Sequence, residues 1–103
     1  MTKWIRYSSP RTKKALEMPD ADKLFLDTFV VVCPFCGFDF NRIETIERVE
    51  GNDNYQAWDG RGDLDQIQFR CENGGHVWRL CFGFHKGQTF VFSEWQKDVR
   101  DES

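Results

Sequence analysis

The feature that most constrains this chain is a pair of cysteines in a short turn, Cys33-Pro34-Phe35-Cys36-Gly37, which follows an apolar run over residues 24–32. Two cysteines separated by two residues can both reach one metal ion from a single turn. Pro34 stiffens such a turn, and Gly37 permits the positive φ that lets backbone amides point at sulfur. We interpret this segment, called the knuckle below, as one half of a metal site.

The second half of the site is predicted at residues 71–76, which follow the alternating run 66–70. Cys71 supplies a third thiolate there. The glycines at positions 74 and 75 would let the chain curl back so that His76 supplies a nitrogen ligand. Because zinc takes four sulfur or nitrogen ligands in a tetrahedron, the sequence predicts one structural Zn²⁺. The predicted ligands are Cys33, Cys36, Cys71 and His76.

The fourth ligand has one competitor in the sequence, Cys81. It lies in the middle of a predicted strand, whereas ligands of this kind of site come from turns, so we interpret it as a small buried side chain. The choice between His76 and Cys81 stays open at this point. His85 lies in a predicted hairpin turn, where we expect it to make turn hydrogen bonds.

The N-terminal half of the chain is predicted as a basic arm over residues 1–22, followed by a strand over 24–32. Within the arm, Trp4 to Tyr7 is a candidate strand, and Ser9 before Pro10 predicts a helix that ends near Glu17. After the knuckle, a strand is predicted at 38–40. Residues 41–49 fit a helix by the spacing of their apolar residues, and Asn41 with Glu44 three residues on resembles a helix capping box, but the β-branched content favours a strand.

The C-terminal half is predicted as a loop over 51–65 and three strands. Alternating residues predict strands over 66–71, 77–84 and 89–95, the last two joined by a hairpin turn at 85–88. Residues 96–103 are predicted to form a charged tail. The whole of 23–95 is then one metal-stabilised domain.

Composition limits the classes of function. The chain has 103 residues, which fits one domain, and a formal net charge of −3, which argues against a general nucleic-acid binder. It shows neither a signal peptide nor an apolar run long enough to span a bilayer, so we expect a cytoplasmic protein with no membrane partner. In that compartment cysteines are expected as thiols or metal ligands rather than as disulfides.

The knuckle, the Cys71-x₄-His76 spacing and the aromatic hairpin that follows resemble zinc-ribbon proteins. The run from Cys71 to Val91 also resembles small uncharacterised zinc-ribbon proteins of bacteria and their phages. The resemblance covers about residues 28–95. It implies a mainly β zinc ribbon of antiparallel hairpins with a short N-terminal helix or arm, and one zinc ion, but no activity.

The expected function is a non-enzymatic binding module that contacts a protein partner. Nucleic-acid binding is the alternative, with aromatic residues stacking on bases and the basic arm touching phosphate. A thiol redox protein that uses Cys33 and Cys36 is a minor alternative, and it lacks a late proline for the loop that such proteins place beside the active site. Candidate partner contacts are Lys3, Trp4, Arg6, Arg11, Lys13, Lys14, Tyr55 and Trp58.

Overall fold

The computed structural model describes residues 2–16 and 30–98. Its elements are β1 (Thr2–Arg6), α1 (Ser9–Leu16), β2 (Asn41–Val49), β3 (Leu64–Cys71), β4 (Val77–His85) and β5 (Gln88–Asp98). The strands form one sheet in the order β1-β5-β4-β3-β2, and every neighbouring pair is antiparallel. The prediction of a mainly β fold with a short N-terminal helix is confirmed.

The turn between β4 and β5 fixes the register of the central hairpin. Lys86 and Gly87 have φ values of 48° and 84°. Two successive positive φ values match the twist of the strands on either side, which is why two-residue hairpin turns favour them. The hairpin therefore closes with His85 paired to Gln88, and Trp78 lies opposite Trp95 at its far end.

Because side chains alternate along a strand, the sheet has two apolar faces. The knuckle face carries Phe69, Trp78 and Leu80, which form a buried cluster with Cys33 and Cys71. The rings of Phe69 and Trp78 stack, with centroids 4.5 Å apart. This face positions the knuckle against the end of β3.

The opposite face, the loop face, carries a second buried cluster of Leu64, Cys81 and Phe92. Residues 50–63 cross this face, and Trp58 packs against the cluster. The Trp58 ring stacks on Phe92, with centroids 5.8 Å apart. The two clusters together explain why a sheet of five strands buries side chains on both sides.

The N-terminal segment belongs to the sheet rather than lying beside it as an arm. β1 pairs with β5 over its full length, from Thr2 with Asp98 to Arg6 with Glu94. Helix α1 follows and is tied to β5 by a buried hydrogen bond of 2.7 Å between the hydroxyls of Thr12 and Ser93. Because β1 gives β5 a partner strand, β5 continues to Asp98, and the prediction of a charged tail is wrong for residues 96–98.

Other boundaries also differ from the predictions. Residues 41–49 form a strand, which confirms the β-branched signal over the helical spacing. The predicted strand at 38–40 is wrong, because these residues make the turn from the knuckle into β2. The predicted loop end at 65 is wrong, because Leu64 is buried opposite Gly83 and begins β3.

Two predictions involve residues outside the described part. Of the strand predicted at 24–32, residues 24–29 lie outside it, and residues 30–32 are not in a strand. The helix is confirmed over Ser9–Leu16, while its predicted end at Glu17 lies outside. Within residues 2–16 and 30–98, no helix has the length and apolar character needed to cross a membrane.

Candidate metal centre

The knuckle is a hydrogen-bonded turn that directs two sulfur atoms to the same side. The amide of Gly37 donates to the carbonyl of Cys33 at 2.8 Å, and the amide of Cys33 donates to the carbonyl of Phe38 at 2.9 Å. Gly37 has a φ of 77°, a conformation that is costly for residues with a Cβ. The sequence signal for this turn is therefore fulfilled in the backbone.

The second half of the site is the turn between β3 and β4. The amide of Gly75 donates to the carbonyl of Cys71 at 3.1 Å, and the amide of Cys71 donates to the carbonyl of His76 at 2.8 Å. Gly74 and Gly75 have φ values of 86° and 72°. These two glycines return the chain toward Cys71, so the four residues between Cys71 and His76 form a closed turn.

The two halves meet to form one cluster of four ligand atoms. The Sγ atoms of Cys33, Cys36 and Cys71 and a ring nitrogen of His76 all lie within 4.8 Å of one another. The Sγ atoms of Cys36 and Cys71 are 3.6 Å apart. With metal to sulfur distances of about 2.3 Å, tetrahedral geometry requires sulfur atoms roughly this far apart. The predicted set of four residues is thus brought together.

The surroundings of His76 fit a bound metal ion. Its Nδ1 atom is buried and has no hydrogen-bond partner among the described residues. A buried polar atom without a partner is costly, and a metal ion held by this cluster would remove that cost. The ring of Phe35 packs edge-on against the imidazole, with centroids 4.7 Å apart.

The three thiols respond differently to their positions. Burial raises the pKa of Cys33 and raises that of Cys71 to about 12. At Cys36, burial acts to raise the pKa, but hydrogen bonds, first of all from the Phe38 amide, outweigh it and lower the pKa. A bound cation would favour the thiolate at all three positions, because ligation by cysteine requires deprotonation.

Asn41 holds the knuckle on the sheet. Asn41 was interpretable as a helix cap, but it begins β2, and its Nδ2 donates to the carbonyls of Val31 and Phe38 at 3.1 and 2.9 Å. Its Oδ1 accepts from Trp78 Nε1 at 3.0 Å. The indole N–H of a buried tryptophan usually has a hydrogen-bond acceptor, so a buried Trp78 implies a polar partner nearby, although the sequence does not say which residue it is.

Cys81 lies away from the cluster. Cys81 is fully buried on the loop face, and its Sγ is 3.8 Å from Glu94 Oε1. Cys71 lies on the opposite face of the sheet, toward the knuckle. Strand alternation therefore excludes Cys81 from this four-residue cluster. His85 accepts a hydrogen bond at Nδ1 from the backbone amide of Arg61 at 3.1 Å, so this bond goes to the segment 50–63 and not to the hairpin turn for which it was predicted.

The predicted partner contacts are divided between different environments. Arg6 pairs with Asp59 at 2.9 Å and lies over the Phe92 ring, while Arg79 lies over the ring of Trp4. Trp58 is half-buried in the loop-face cluster. Arg11 is exposed and lies over the ring of Tyr7, 5.8 Å from its centroid. The residues of this set that are exposed without an ion pair or a cation–π contact among the described residues are Lys3, Lys13, Lys14 and Tyr55.

Comparison of the chain with protein-family models, with curated proteins and with solved structures finds no significant match. The fold and the site therefore rest on the residues of this chain alone. What they define is a small, mainly β domain with a Cys₃His cluster at one end of its sheet.

Proposed function

We propose that this chain is a non-enzymatic zinc-binding domain, with one structural Zn²⁺ held by Cys33, Cys36, Cys71 and His76, and that it acts as a binding module. The observation that carries the proposal is the four-ligand cluster within 4.8 Å. Three sulfur atoms and one imidazole nitrogen are a donor set that favours zinc. Four protein ligands fill a tetrahedron, which is typical of structural sites, whereas catalytic zinc keeps a position for water.

The position of the cluster supports a structural role. The knuckle is not part of the sheet and is joined to it through Asn41 and the 2.9 Å hydrogen bond from the Glu72 amide to the Phe40 carbonyl. A metal ion would add a strong link between the knuckle and the β3–β4 turn. In small domains such a link contributes on the order of 10 kcal/mol to folding.

A redox function of Cys33 and Cys36 receives less support. Redox pairs of this spacing use the N-terminus of a following helix to stabilise the thiolate. Here the residues that follow the knuckle form β2, and Cys71 Sγ lies 3.6 Å from Cys36 Sγ. Two further ligands beside the pair favour metal binding.

Metal content tests the proposal directly. We expect one zinc per chain by elemental mass spectrometry of protein purified without a histidine tag. The matched variants are His76→Ala, which should lose the metal, and Cys81→Ala, which should keep it. Of these two residues, only His76 belongs to the cluster. Protein without zinc that forms a reversible Cys33 to Cys36 disulfide would overturn the proposal.

Binding of a protein partner is supported by a row of aromatic rings at one end of the loop face. The centroid distances are 6.4 Å from Tyr55 to His85, 6.4 Å from His85 to Phe90 and 5.9 Å from Phe90 to Trp58. Tyr55 and Phe90 are 57% and 42% exposed, although aromatic side chains gain stability from burial. Exposed aromatic residues next to a buried cluster, here the cluster that Trp58 packs against, are typical of interface hot spots.

The binding role is tested by comparing proteins captured from a cell extract. Wild type should retain a partner that the double variant Tyr55→Ser and Phe90→Ser loses. Phe40→Ser is the matched control, since Phe40 is 59% exposed but lies beside the knuckle, away from the aromatic row. Equal capture by all three proteins would contradict the aromatic row as the binding surface.

Nucleic-acid binding is a second candidate, favoured by one groove. Helix α1 and the knuckle enclose about 380 Å³ lined by Arg11, Lys14 and residues 32–37, and an adjoining groove of about 340 Å³ shares Arg11 and Phe35. Phe35 is 57% exposed there. Cationic side chains next to an exposed aromatic ring suit phosphate and base stacking.

The two candidates differ in their dependence on salt. Binding of a single-stranded oligonucleotide through the groove should weaken steeply as salt is raised, and Lys14→Glu should weaken it further. Lys86→Glu is a control that makes the same charge change in the β4–β5 turn. If the oligonucleotide does not bind at low salt, the nucleic-acid candidate is rejected.

A further inference from the structure

The edge strand β2 has features that its role in the sheet does not require. It is the last strand of the sheet, and within residues 2–16 and 30–98 no strand pairs with its outer side. Seven of its nine residues, 42–48, are exposed. An edge strand presents unpaired N–H and C=O groups, which makes it a template for another strand.

Two isoleucines make this edge apolar on one face. Ile43 and Ile46 lie on the knuckle face, opposite Phe69 and Ile67 of β3, and are 50% and 71% exposed. β-Branched residues are stabilised in strands by packing against cross-strand neighbours. On its outer side β2 offers these two side chains no such neighbour among the described residues.

The charged residues of β2 fall into two groups. Glu44 accepts a hydrogen bond from Arg70 at 2.7 Å, and Arg48 donates to Asp65 at 2.6 Å, so these two are used within the chain. Arg42 and Glu47 make no ion pair with any described residue. They have opposite charges and lie on the loop face, near the two ends of the strand.

We propose that β2 pairs antiparallel with β2 of a second copy of this chain, so that two five-stranded sheets become one. A two-fold axis beside Glu44 and Thr45 places Ile43 opposite Ile46 of the partner. The same register places Arg42 opposite Glu47 of the partner. Each contact occurs twice, which is the self-complementarity that a two-fold interface requires.

The register shift between Ile43 and Thr45 makes this pairing consistent. A bulge adds one residue to a strand and so changes which positions share a face. Because of it, Ile43 and Ile46 lie on one face although they are separated by an odd number of positions. A slip of one residue would place Ile43 opposite Glu47 and Arg42 opposite Arg48. The proposed register instead joins the two isoleucines and pairs the two charged residues that have no ion pair among the described residues.

The proposed interface is small. Pairing of one strand buries less area than the roughly 1,200 Å² of standard interfaces, so we expect a reversible dimer with an affinity on the order of micromolar. Dimerisation is independent of the aromatic row, since the row lies at one end of the loop face and β2 is the edge strand of the sheet. It is also independent of which metal the cluster binds.

Sedimentation equilibrium of the zinc-loaded full chain tests the proposal over roughly 1 to 300 μM, a range set by the expected affinity. The mass should rise from 12.2 kDa to twice that value with concentration. Ile46→Lys should abolish the rise, whereas Val91→Lys, at a 41% exposed position on β5, should leave it unchanged. A chain that is monomeric throughout, or a dimer that is equally stable with Ile46→Lys, would overturn the proposal.

The register is tested by exchanging charges. Arg42→Glu and Glu47→Arg, each alone, place like charges opposite each other twice and should weaken dimerisation by about tenfold or more. The double variant Arg42→Glu with Glu47→Arg restores opposite charges and should recover an affinity within about threefold of wild type. Failure of the double variant to recover, in proteins with unchanged circular dichroism spectra, would overturn the proposed pairing.

Discussion

Asn41 and Trp78 are joined by a 3.0 Å hydrogen bond that connects the knuckle to the centre of the sheet. Trp78 is almost fully buried, and its indole N–H donates to Asn41 Oδ1. The amide nitrogen of the same asparagine donates to Val31 and Phe38 on either side of the knuckle. One side chain therefore satisfies the core tryptophan and holds the segment that carries Cys33 and Cys36.

Asn41→Ala should lower the free energy of unfolding by about 2–3 kcal/mol, because it leaves a buried indole donor without a partner and removes two further hydrogen bonds. Chemical denaturation of the zinc-loaded protein measures this. Asn54→Ala is the matched control, since Asn54 is exposed in the loop and should change stability by less than about 0.5 kcal/mol. Equal effects of the two substitutions would contradict the role of Asn41.

The Trp58 ring packs on the loop face directly against Gly60 and Gly83, where no side chain occupies the space. A Cβ at Gly83 would lie 2.4 Å from the Trp58 ring, and one at Gly60 would lie 2.3 Å from it. Gly83→Ala should therefore displace the ring and lower the free energy of unfolding by about 1–3 kcal/mol.

A double-mutant cycle separates this clash from a general effect of glycine. In a Trp58→Ala background, Gly83→Ala should have little effect, because the ring that it meets is gone. Thermal or chemical denaturation of the four proteins gives the coupling energy. Additive effects of the two substitutions would show that Gly83 is not needed for the packing of Trp58.

The sequence predicts the two turns of the site well, because cysteine, proline and glycine at such spacings are compatible with few backbone conformations. Two cysteines around Pro34 and a following glycine predict the knuckle, and Gly74 and Gly75 predict a turn able to return His76 to Cys71; the backbone has these positive φ values. The choice between His76 and Cys81 needed the fold. Cys81 is excluded because strand alternation places it on the opposite face, which depends on the register of β3 with β4.

Other features could not be predicted because they depend on distant partners. The segment 96–98 is polar and resembles a tail, and it is a strand only because β1, from the other end of the chain, pairs with it. Asn41 resembles a helix cap in its local sequence. Its actual hydrogen bonds go to Val31, Phe38 and Trp78, and a contact of this range has no local signature.

The Glu44 carboxylate gives the sheet a dependence on pH. Hydrogen bonds from Arg70 and then Gln68 lower the pKa of Glu44 below its ordinary value of 4.5. Because the folded pKa is the lower one, the stabilisation is present above the unfolded pKa and is lost as pH falls through the folded pKa. The pair is partly exposed, so its contribution is at most about 1 kcal/mol.

Glu44→Gln should therefore be less stable than wild type by a constant amount between about pH 5 and 8, with the difference shrinking below about pH 4.5. The measurement is the free energy of unfolding of both proteins at the same concentration of added zinc, so that any effect of acid on metal binding is common to both. Glu47→Gln is the control on the same strand, because Glu47 makes no ion pair with any described residue, and it should leave the stability of the monomer nearly unchanged. A difference that grows toward low pH would contradict the sign.

Cys81 lies outside the four-residue cluster, and its thiol should react very slowly with alkylating reagents. Burial, together with the nearby Glu94 carboxylate, raises the pKa of its thiol to about 12. Since the thiolate is the reactive form, alkylation at pH 8 should be at least about a thousandfold slower than that of an exposed cysteine. Mass spectrometry of peptides after timed alkylation of the zinc-loaded protein follows this site alone.

A matched exposed thiol is available on the same strand. Phe84 is 48% exposed, so Phe84→Cys places a reference cysteine three positions from Cys81 under identical conditions. Alkylation of Cys81 should accelerate only in denaturant, in step with global unfolding, because its cluster with Leu64 and Phe92 opens only when the sheet does. Rapid alkylation of Cys81 in the native protein would mean that residues 50–63 leave the loop face without unfolding of the sheet.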